Sequence, residues 1–518
     1  MKIVHLSTVD FSGKGISAYR LHKALQKKGV DSTLITLVKS SGDPSVKIIT
    51  FDPFDKTKIF ISDKVVPDTE TISNYMIEEW SKLLKMQIMA PDGELFFSLP
   101  DSIINLEQII EINQADIVHI HWSPGLVDIN MAPIYFMNKP VFLTIYNKYP
   151  YTGGCHLHKC EKFKEECKNC PLLKEGVKEI STINFNIKKE SYSNLNLYVN
   201  TTNNFLRKEA QESGIFGSDS KIEVIPPGIS LKKFTRKNKK RAREHLHLPI
   251  DKFILIFCCS SLKDRKDDVL RLMEALKFLS KEGLDIYLIL LGAHPEIVRR
   301  DMPFPVHALG FIPHEEVMCW YYSAADVFVN PSIRFEMSIS TLEAMSCGLP
   351  VVAFDYGAMR DVVIHQKNGY LAKNYDMEDF AYGIKWILEN EEKKIYLSKN
   401  ARNKVKNDFN LEKVAENYIK LYEDKLKFPV KIKRQNLIKL GEKFFLNKDL
   451  NKSLLLFNKL LERNGEDAEV LNNIGVIYWQ KGMFDKAKKF FKKAYELNPY
   501  LKEIRENYKK VTQHMDKK

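Results

Sequence analysis

Short apolar runs alternate with longer segments of helical spacing along most of the chain. The run "KIVHLSTV" predicts a strand, and the glycine-bearing turn "DFSGKG" follows it. In the next segment, "ISAYRLHKALQKKG", Ile16, Tyr19, Leu21 and Leu25 approximate helical spacing, and Gly29 ends the pattern. "VDSTLITLV" then predicts the next strand. A strand, turn, helix and strand in this order indicate a parallel sheet.

Two sets of such units follow each other. The runs "ADIVHIHW", "PVFLTIYN" and "LNLYVNTT" continue the first set, and "IEVIPPGI" opens a second one. The second set holds "FILIFCCSS", "DIYLILLGA", "VHALGFI", "ADVFVNPS" and "PVVAFDYG", each long enough for a buried parallel strand. The pattern predicts an α/β protein with two tandem doubly wound, Rossmann-like domains, at residues 1–205 and 206–428. Ligands of such sheets lie beyond the carboxyl ends of the strands, so we expect a site in the cleft between the domains.

The C-terminal segment, residues 433–512, shows a different pattern and is predicted to be all-α. A shift of 34 residues aligns "LNNIGVIYWQKGMFDKAKKFFKKAYELNP" with "LIKLGEKFFLNKDLNKSLLLFNKLLERNG", and places Gly475 over Gly441. This period resembles tetratricopeptide repeats, in which paired helices stack into a superhelix. Two copies are few for a solenoid, so we expect them to lean on the last helix or on residues 428–435. The segment lacks catalytic residue types, and we predict that it binds a protein partner.

Composition and charge narrow the class of protein. The 518 residues are 44% hydrophobic and 28% charged, as in ordinary globular proteins, and no apolar run approaches the length of a membrane span. The first residues resemble a strand and not a signal peptide, which predicts a cytoplasmic protein. Of the net charge of +13, the residues from Lys431 onward carry +10, from 21 Lys and Arg against 11 Asp and Glu. This surplus of positive charge favours peripheral contact with the inner face of a membrane or with an acidic partner. Alternatively, the lysines only keep the surfaces of the helices solvated. The surplus does not predict nucleic-acid binding, because no aromatic-basic motif accompanies it.

Four of the eight cysteines lie within sixteen residues, in "CHLHKCEKFKEECKNC". Spacings of C-x4-C and C-x2-C let four thiolates converge on one tetrahedral ion, which suits a structural zinc in a reducing compartment. Reduced cysteines or a loop disulfide are the alternatives. His156 and His158 are substitute ligands. The predicted zinc ligands are Cys155, Cys160, Cys167 and Cys170.

Taken in order, these motifs resemble the family 4 (group 1) retaining glycosyltransferases of GT-B fold. The resemblance covers roughly residues 1–425, and is carried by "HLSTVDFSGKGISAYRLHKAL", "YPYTGGCH", "IEVIPPGI", "SSLKDRKDD", "LEAMSCGLPVVAF" and "NGYLA". It implies transfer of a sugar from a nucleotide-sugar donor, without a catalytic metal, to a glycan, lipid-linked or protein acceptor. Cell-surface polysaccharide or glycoconjugate synthesis is the implied setting.

The resemblance also implies roles for individual residues. A leaving nucleoside diphosphate requires cations and oriented amides around its phosphates, which the basic turn, the glycine turn and the start of a helix supply. The second glutamate of the family motif binds the ribose hydroxyls, and Glu343 occupies its place. The predicted donor-binding residues are Gly13, Lys14, Gly15, Arg265, Lys266, Ser338, Ile339 and Glu343.

The sequence departs from the family on the sugar side of this site. The family separates its two glutamates by seven residues, whereas six separate Glu336 from Glu343, so that Phe335 stands where the first glutamate is usual. Tyr146 replaces a histidine that faces the reacting sugar in the family, and His119 and His121 are candidates to compensate. We therefore predict Glu336, His121 and Tyr146 as catalytic residues. The alternative function is a degenerate, inactive scaffold or partner subunit that still binds nucleotide.

Overall fold

The computed structural model describes residues 1–51, 58–63, 97–157, 159–218, 220–298, 302–427 and 434–516. It contains one eight-stranded sheet, one six-stranded sheet and a helical tail, which confirms the predicted fold class. Among these residues, no helix combines the length and apolar character needed to cross a bilayer.

The first sheet has the order β4-β3-β2-β1-β5-β6-β7-β8. All neighbours are parallel except β3 and β4, which are antiparallel. Its central strands are buried along their whole length, because helices cover both faces of a parallel sheet. The strands are β1 (Lys2–Leu6), β2 (Asp31–Thr36), β3 (Val46–Phe51), β4 (Ile59–Ser62), β5 (Ile117–Ile120), β6 (Pro140–Ile145), β7 (Asn196–Thr201) and β8 (Glu223–Val224); the helices are α1 (Ser12–Lys27), α2 (Ile110–Gln114), α3 (Ala132–Tyr135), α4 (Glu179–Ser193) and α5 (Asn204–Glu212).

The second sheet is parallel throughout, in the order β11-β10-β9-β12-β13-β14. The chain reverses direction across the sheet between β9 and β12, and a cleft forms at such switch points. The strands are β9 (Phe253–Ser261), β10 (Ile286–Ala293), β11 (Val306–Leu309), β12 (Val327–Asn330), β13 (Val351–Phe354) and β14 (Gly369–Ala372). The helices are α6 (Lys239–His245), α7 (Lys266–Leu279), α8 (Glu315–Ala324), α9 (Ile339–Ser346), α10 (Met359–Val362), α11 (Met377–Leu388) and α12 (Glu391–Asp408).

The boundary between the two domains differs from the predicted one after residue 205. β8 still pairs with β7, so the first sheet extends to residue 224. In addition, helix α13 (Leu411–Lys427) crosses back and packs on the first domain, where Tyr418 and Tyr422 join the apolar cluster that contains Ile3 and Leu25. A two-residue strand and a helix that returns to an earlier domain leave no signal in local hydrophobic spacing.

Within residues 434–516, which the structure describes, the tail has five helices that stack in sequence order. α14 pairs with α15 and α16 with α17, and α18 covers the last pair through Ile504 and Val511. This confirms that the repeats lean on the last helix, whereas residues 428–433 lie outside the described part of the chain. The helices are α14 (Arg434–Leu446), α15 (Leu450–Asn464), α16 (Ala468–Gln480), α17 (Phe484–Leu497) and α18 (Lys502–Met515).

The first helix pair of the tail shares a hydrophobic core with the first domain. Lys459 of α15 is buried; it donates to the carbonyl oxygen of Ile134 at 3.2 Å and pairs with Glu107 at 3.0 Å. Lys452 lies 3.7 Å from the buried carboxylate of Asp128. Burial raises the pKa of Asp128 to about 6, and Lys452 opposes that shift. The tail is thus docked on the first domain by both apolar and charged contacts.

We predict that Gly475→Ala destabilises the tail. A Cβ atom at this position would lie 2.6 Å from the ring of Phe491, on the facing helix. Since the ring is buried, we expect overpacking to cost about 1–3 kcal/mol, against about 1 kcal/mol gained in helix propensity. Chemical denaturation of the full chain measures the change. Gly42→Ala is the control, because its Cβ would meet nothing within 4 Å; equal stability of the two variants would contradict the packing argument.

Candidate functional site

A cavity of about 1410 Å³ lies between the two domains, at the carboxyl ends of their strands. Its wall on the first domain comes from the β1–α1 turn and from α1. Its wall on the second domain comes from the ends of β9 and β12 and from the starts of α8 and α9. Of the predicted site residues, Gly13, Lys14, Tyr146, Arg265, Glu336, Ser338, Ile339 and Glu343 line this cavity.

The glycine turn after β1 has two distinct backbone requirements. Gly13 has φ +32° and ψ −100° within the first turn of α1, a conformation that side chains rarely adopt. Gly15 lies behind the cavity wall, and a Cβ atom there would come within 2.5 Å of the carbonyl oxygen of Val9. The two glycines therefore allow the chain to turn tightly from β1 into α1 and hold Lys14 at the cavity.

Lys14 and Glu336 face each other across the cleft, with Nζ 3.0 Å from Oε1. The adjacent Phe335 points away from the cavity, is 2% exposed, and stacks on Phe205 of the first domain at 5.7 Å between ring centroids. Asn203 donates to the carbonyl oxygen of Phe335 at 3.2 Å and holds this loop against the first domain. Glu336 therefore lies in the cleft, although Phe335 stands at the position where the first glutamate is usual.

Glu343 is buried at the other side of the cavity, and each of its carboxylate oxygens has a partner. Arg20 of α1 donates to Oε1 at 2.5 Å, and the Tyr322 hydroxyl donates to Oε2 at 3.0 Å. Arg20 also donates to Glu315 at 2.8 Å, and Lys233 pairs with the same glutamate at 2.6 Å. Burial raises the pKa of Glu343 above its usual range, while Arg20 opposes the shift. This cluster joins the two domains through charged groups.

The remaining donor-site predictions differ in their surroundings. Arg265 lines the cavity and donates to the Ser332 hydroxyl at 3.1 Å, whereas Lys266, the first residue of α7, is exposed and does not line the cavity. Ser338 caps α9, since its hydroxyl oxygen accepts from the Thr341 amide at 3.3 Å, and Ile339 begins the helix. The amino end of α9 therefore points its first backbone N–H groups towards the cavity.

Tyr146 lines the cavity, but His121 lies behind it and is 2% exposed. The two are joined by a hydrogen bond of 2.9 Å between His121 Nδ1 and the Tyr146 hydroxyl. Burial lowers the pKa of His121 to about 3, so the imidazole is neutral near pH 7. As a consequence, His121 reaches the cleft only through Tyr146.

The four cysteines of the loop line one small cavity in the first domain, and none of them forms a disulfide. Cys167 Sγ accepts from the Gly153 amide at 3.1 Å. Lys188 is buried nearby, and burial lowers its pKa to about 7 although Cys167 and Cys155 oppose the shift. His156 is bonded to Asn147 and does not line this cavity, and His158 lies outside the described residues.

Two parts of the chain match protein families. The family described as Glycosyl transferases group 1 matches residues 253–390, and the Tetratricopeptide repeat family matches residues 468–501. The first of these matches lies within the second domain. The tetratricopeptide match covers the second of the two predicted copies and confirms the repeat class of the tail.

Curated relatives include several D-inositol 3-phosphate glycosyltransferases. That of Xylanimonas cellulosilytica is 31% identical over 215 residues, which is 38% of this chain and 50% of the relative. The chain thus spans about half the length of this relative. That of Arthrobacter sp. is 24% identical over 387 residues, which is 72% of this chain and 80% of the relative.

Solved structures share the two-domain GT-B fold at low sequence identity. A glycosyltransferase from Rickettsia africae superposes with a TM-score of 0.55 and 16% identity, over 82% of this chain and 99% of that one. Anabaena HepE in complex with UDP-glucose gives 0.53 and 14%, over 82% and 100%. Sucrose-phosphate synthase from Thermosynechococcus elongatus gives 0.52 and 18%, over 82% and 99%.

Arg20 lines the cavity and was not predicted from the sequence motifs. Together with Gly13 and Ser17 it lines the cavity, and these positions are four and three residues apart. That spacing places them on one face of α1, next to the glycine turn. The helical spacing of Ser17 and Arg20 after the glycine turn is the sequence signal for such a residue.

We predict that Arg20→Leu is strongly destabilising near pH 7. The variant leaves Glu343 buried without its cation, which typically costs about 3–5 kcal/mol. Glu315 retains Lys233 as a partner. Without Arg20 the pKa of Glu343 rises further, so the folded state takes up a proton that the unfolded state releases, and stability recovers as the pH is lowered towards 5.

Urea denaturation at pH 7 and at pH 5 measures this difference. The matched control is the double variant Arg20→Leu with Glu343→Leu, which removes both charges and is expected to lose the pH dependence. A loss of stability of equal size at both pH values would show that Glu343 is not the group left unpaired.

Proposed function

We propose that this protein is a retaining glycosyltransferase that transfers a sugar from a nucleotide-sugar donor bound in the cleft between its domains. The observation that supports this most is the pairing of Lys14 with Glu336 inside the cavity. Phe335 stands at the position that is usually glutamate in the family that this chain resembles. The carboxylate of the next residue, Glu336, nevertheless lines the cavity. Glu336 would contact the transferred sugar, and in the unliganded cleft it pairs with Lys14.

The electrostatics of the cavity fit a leaving nucleoside diphosphate. Lys14 and Arg265 face it from opposite domains, and the amino end of α9 adds oriented N–H groups. Such preorganised positive groups stabilise the charge that develops on the phosphates as the sugar departs. Solved neighbours of the same fold are described in complex with UDP or UDP-glucose, and this supports a uridine nucleotide as the first donor to examine.

Glu343 would accept hydrogen bonds from the ribose hydroxyls of the donor, in place of the hydrogen bond that it now accepts from Arg20. Its Oε1 is held by Arg20, so a bound ribose would compete with the guanidinium for that oxygen. Both arrangements keep the buried carboxylate hydrogen bonded, which is what its burial requires.

We infer that a partner bound to the tail brings the acceptor to the cleft. The acceptor would be a glycan, a lipid-linked molecule or a protein. The tetratricopeptide class of the tail is associated with protein binding, and the tail's surplus of positive charge suits an acidic partner or an anionic membrane surface. Surface-glycan or glycoconjugate synthesis in the cytoplasm, at the inner face of the membrane, is the setting that we infer for the reaction.

Donor turnover tests this function. We expect the purified chain to release nucleoside diphosphate from one class among UDP-, GDP-, ADP- and TDP-sugars, and Glu336→Gln to lower that rate by on the order of a hundredfold or more. Arg265→Ala should raise the KM for the donor and lower kcat. Arg505→Ala, an exposed arginine on α18, is the control for the loss of a positive charge.

Two outcomes would contradict the proposal. Absence of release from every donor, together with calorimetric binding of a nucleoside diphosphate, would indicate the inactive scaffold. Release that is unchanged in Glu336→Gln would place the sugar elsewhere in the cleft. Once an acceptor is found, the anomeric configuration of the product, determined by NMR, tests retention.

We also propose that the cysteine loop holds a structural zinc ion. All four cysteines line one small cavity near Lys188, whose buried ammonium has no carboxylate partner among the described residues. Lys188 donates to the carbonyl oxygens of Tyr149 and Thr152, at 2.5 and 3.1 Å. Zinc bound by four thiolates carries a net negative charge, which would balance the ammonium.

Metal analysis tests the zinc proposal. We expect one zinc per chain after purification without chelators, and its loss in Cys167→Ser together with a lower unfolding temperature. Cys319→Ser is the control, since this buried cysteine lies in the second domain. A chain that holds no zinc, and a Cys167→Ser variant as stable as the parent, would favour reduced structural cysteines.

A further inference from the structure

Three imidazoles are stacked beneath the cleft, on the face of the first sheet that α13 covers. His5 lies on β1, His119 lies opposite it on β5, and His121 follows β5 directly. The rings of His119 and His121 are 4.0 Å apart, and those of His5 and His121 are 5.2 Å apart. All three are buried, and burial lowers the pKa of each below its usual value. Each imidazole is therefore neutral and carries one N–H.

A chain of hydrogen bonds runs from His5 to the cavity. His5 Nδ1 lies 2.9 Å from His121 Nε2, and His121 Nδ1 lies 2.9 Å from the Tyr146 hydroxyl. His119 is outside this chain, because its nitrogens bond to Tyr422 at 2.6 Å and to Thr144 at 2.7 Å.

The other end of the chain is unpartnered. His5 Nε2 is buried without a hydrogen-bond partner among the described residues. Two proton arrangements satisfy the chain. In one, Tyr146 donates to His121, His121 donates to His5, and the N–H of His5 Nε2 is buried without an acceptor. In the other, the directions reverse, and only a lone pair of His5 Nε2 is left without a donor.

The second arrangement is favoured. A buried N–H without an acceptor is rarer in proteins than an acceptor that lacks a donor, and such orphaned donors carry the desolvation cost of a lost hydrogen bond. His5 then donates through Nδ1, and His121 donates through its own Nδ1 to the Tyr146 oxygen. The hydroxyl proton of Tyr146 is then not used within the chain of hydrogen bonds, and Tyr146 lines the cavity.

We propose that His5 and His121 are positioning residues that set the Tyr146 hydroxyl as a hydrogen-bond donor to an oxygen of the sugar bound in the cleft. The proposal rests on the proposed glycosyltransferase function. It gives Tyr146 a defined direction of donation, which a lone phenol, free to donate or accept, does not have. The imidazoles remain neutral throughout, so no proton is transferred along the chain.

A metal site is the other arrangement that three such imidazoles suggest, since one ligand atom of each lies within 4.8 Å of the others. In this structure five of the six ring nitrogens are already hydrogen bonded. A metal ion would have to displace several of these bonds, and for this reason the hydrogen-bond chain is the better account.

The first test is direct and does not depend on turnover. Long-range ¹H–¹⁵N correlation spectra of histidine-labelled protein distinguish the two neutral tautomers, and we expect His5 and His121 both to be protonated at Nδ1. The His5→Leu variant assigns the His5 signals. Protonation of His5 at Nε2, or one bound metal ion per chain that disappears in His5→Leu, would overturn the proposal.

The second test separates positioning from packing. We expect Tyr146→Phe to lower kcat/KM for the nucleotide-sugar by on the order of tenfold, with unchanged affinity for the free nucleoside diphosphate. His5→Leu should show part of the same loss, and His5→Asn, whose amide nitrogen can replace Nδ1–H, should restore activity. Tyr422→Phe, which removes an equally buried hydroxyl bonded to His119, is the matched control and should leave turnover unchanged.

The failures of the two proposals are distinguishable. If the parent chain releases nucleotide from no donor, the function proposal fails, while the tautomer spectra still test the hydrogen-bond chain. If the parent is active and Tyr146→Phe matches it, or if His5→Asn loses as much activity as His5→Leu, then the positioning role is wrong.

Discussion

Pairing of the buried charge on Arg20 is the constraint on which the cleft depends. The guanidinium comes from α1 of the first domain, and its two carboxylate partners, Glu343 and Glu315, belong to the second. Removal of Arg20 alone would leave Glu343 without a cation in a low-dielectric interior. This contact joins α1 to the second domain, and the cavity lies beside it, lined by the glycine turn and the ends of the strands.

The parallel sheets and the helical repeats were predictable from the sequence, because buried strands and stacked helices impose regular hydrophobic spacing. "FILIFCCSS" is β9 and "DIYLILLGA" contains β10. The 34-residue period corresponds to helix pairs in which Gly475 and Gly441 face Phe491 and Phe457. The limits of the domains were not predictable in the same way. β8 has only two residues, and α13 belongs by sequence to one domain and by packing to the other.

The site was predictable where a backbone motif fixes its position, and less so where side chains from distant segments meet. Gly13, Lys14 and the start of α9 lie at the cavity as their motifs indicate. Arg20 and Glu343 are 323 residues apart, and His5 and His121 are 116 residues apart. His5 and His119 become neighbours only because β1 and β5 pair in parallel, although β2, β3 and β4 intervene in the sequence.

The shared core between the first helix pair of the tail and the first domain determines what moves together in this molecule. Leu456 and Phe457 of α15 belong to the same apolar cluster as Ile134 and Phe136. A rotation of the second domain away from the first would therefore leave the repeats in contact with the first domain. A molecule bound to the repeats would keep its orientation relative to the glycine turn. Its distance from the second domain would change, as would the distance between that domain and the glycine turn.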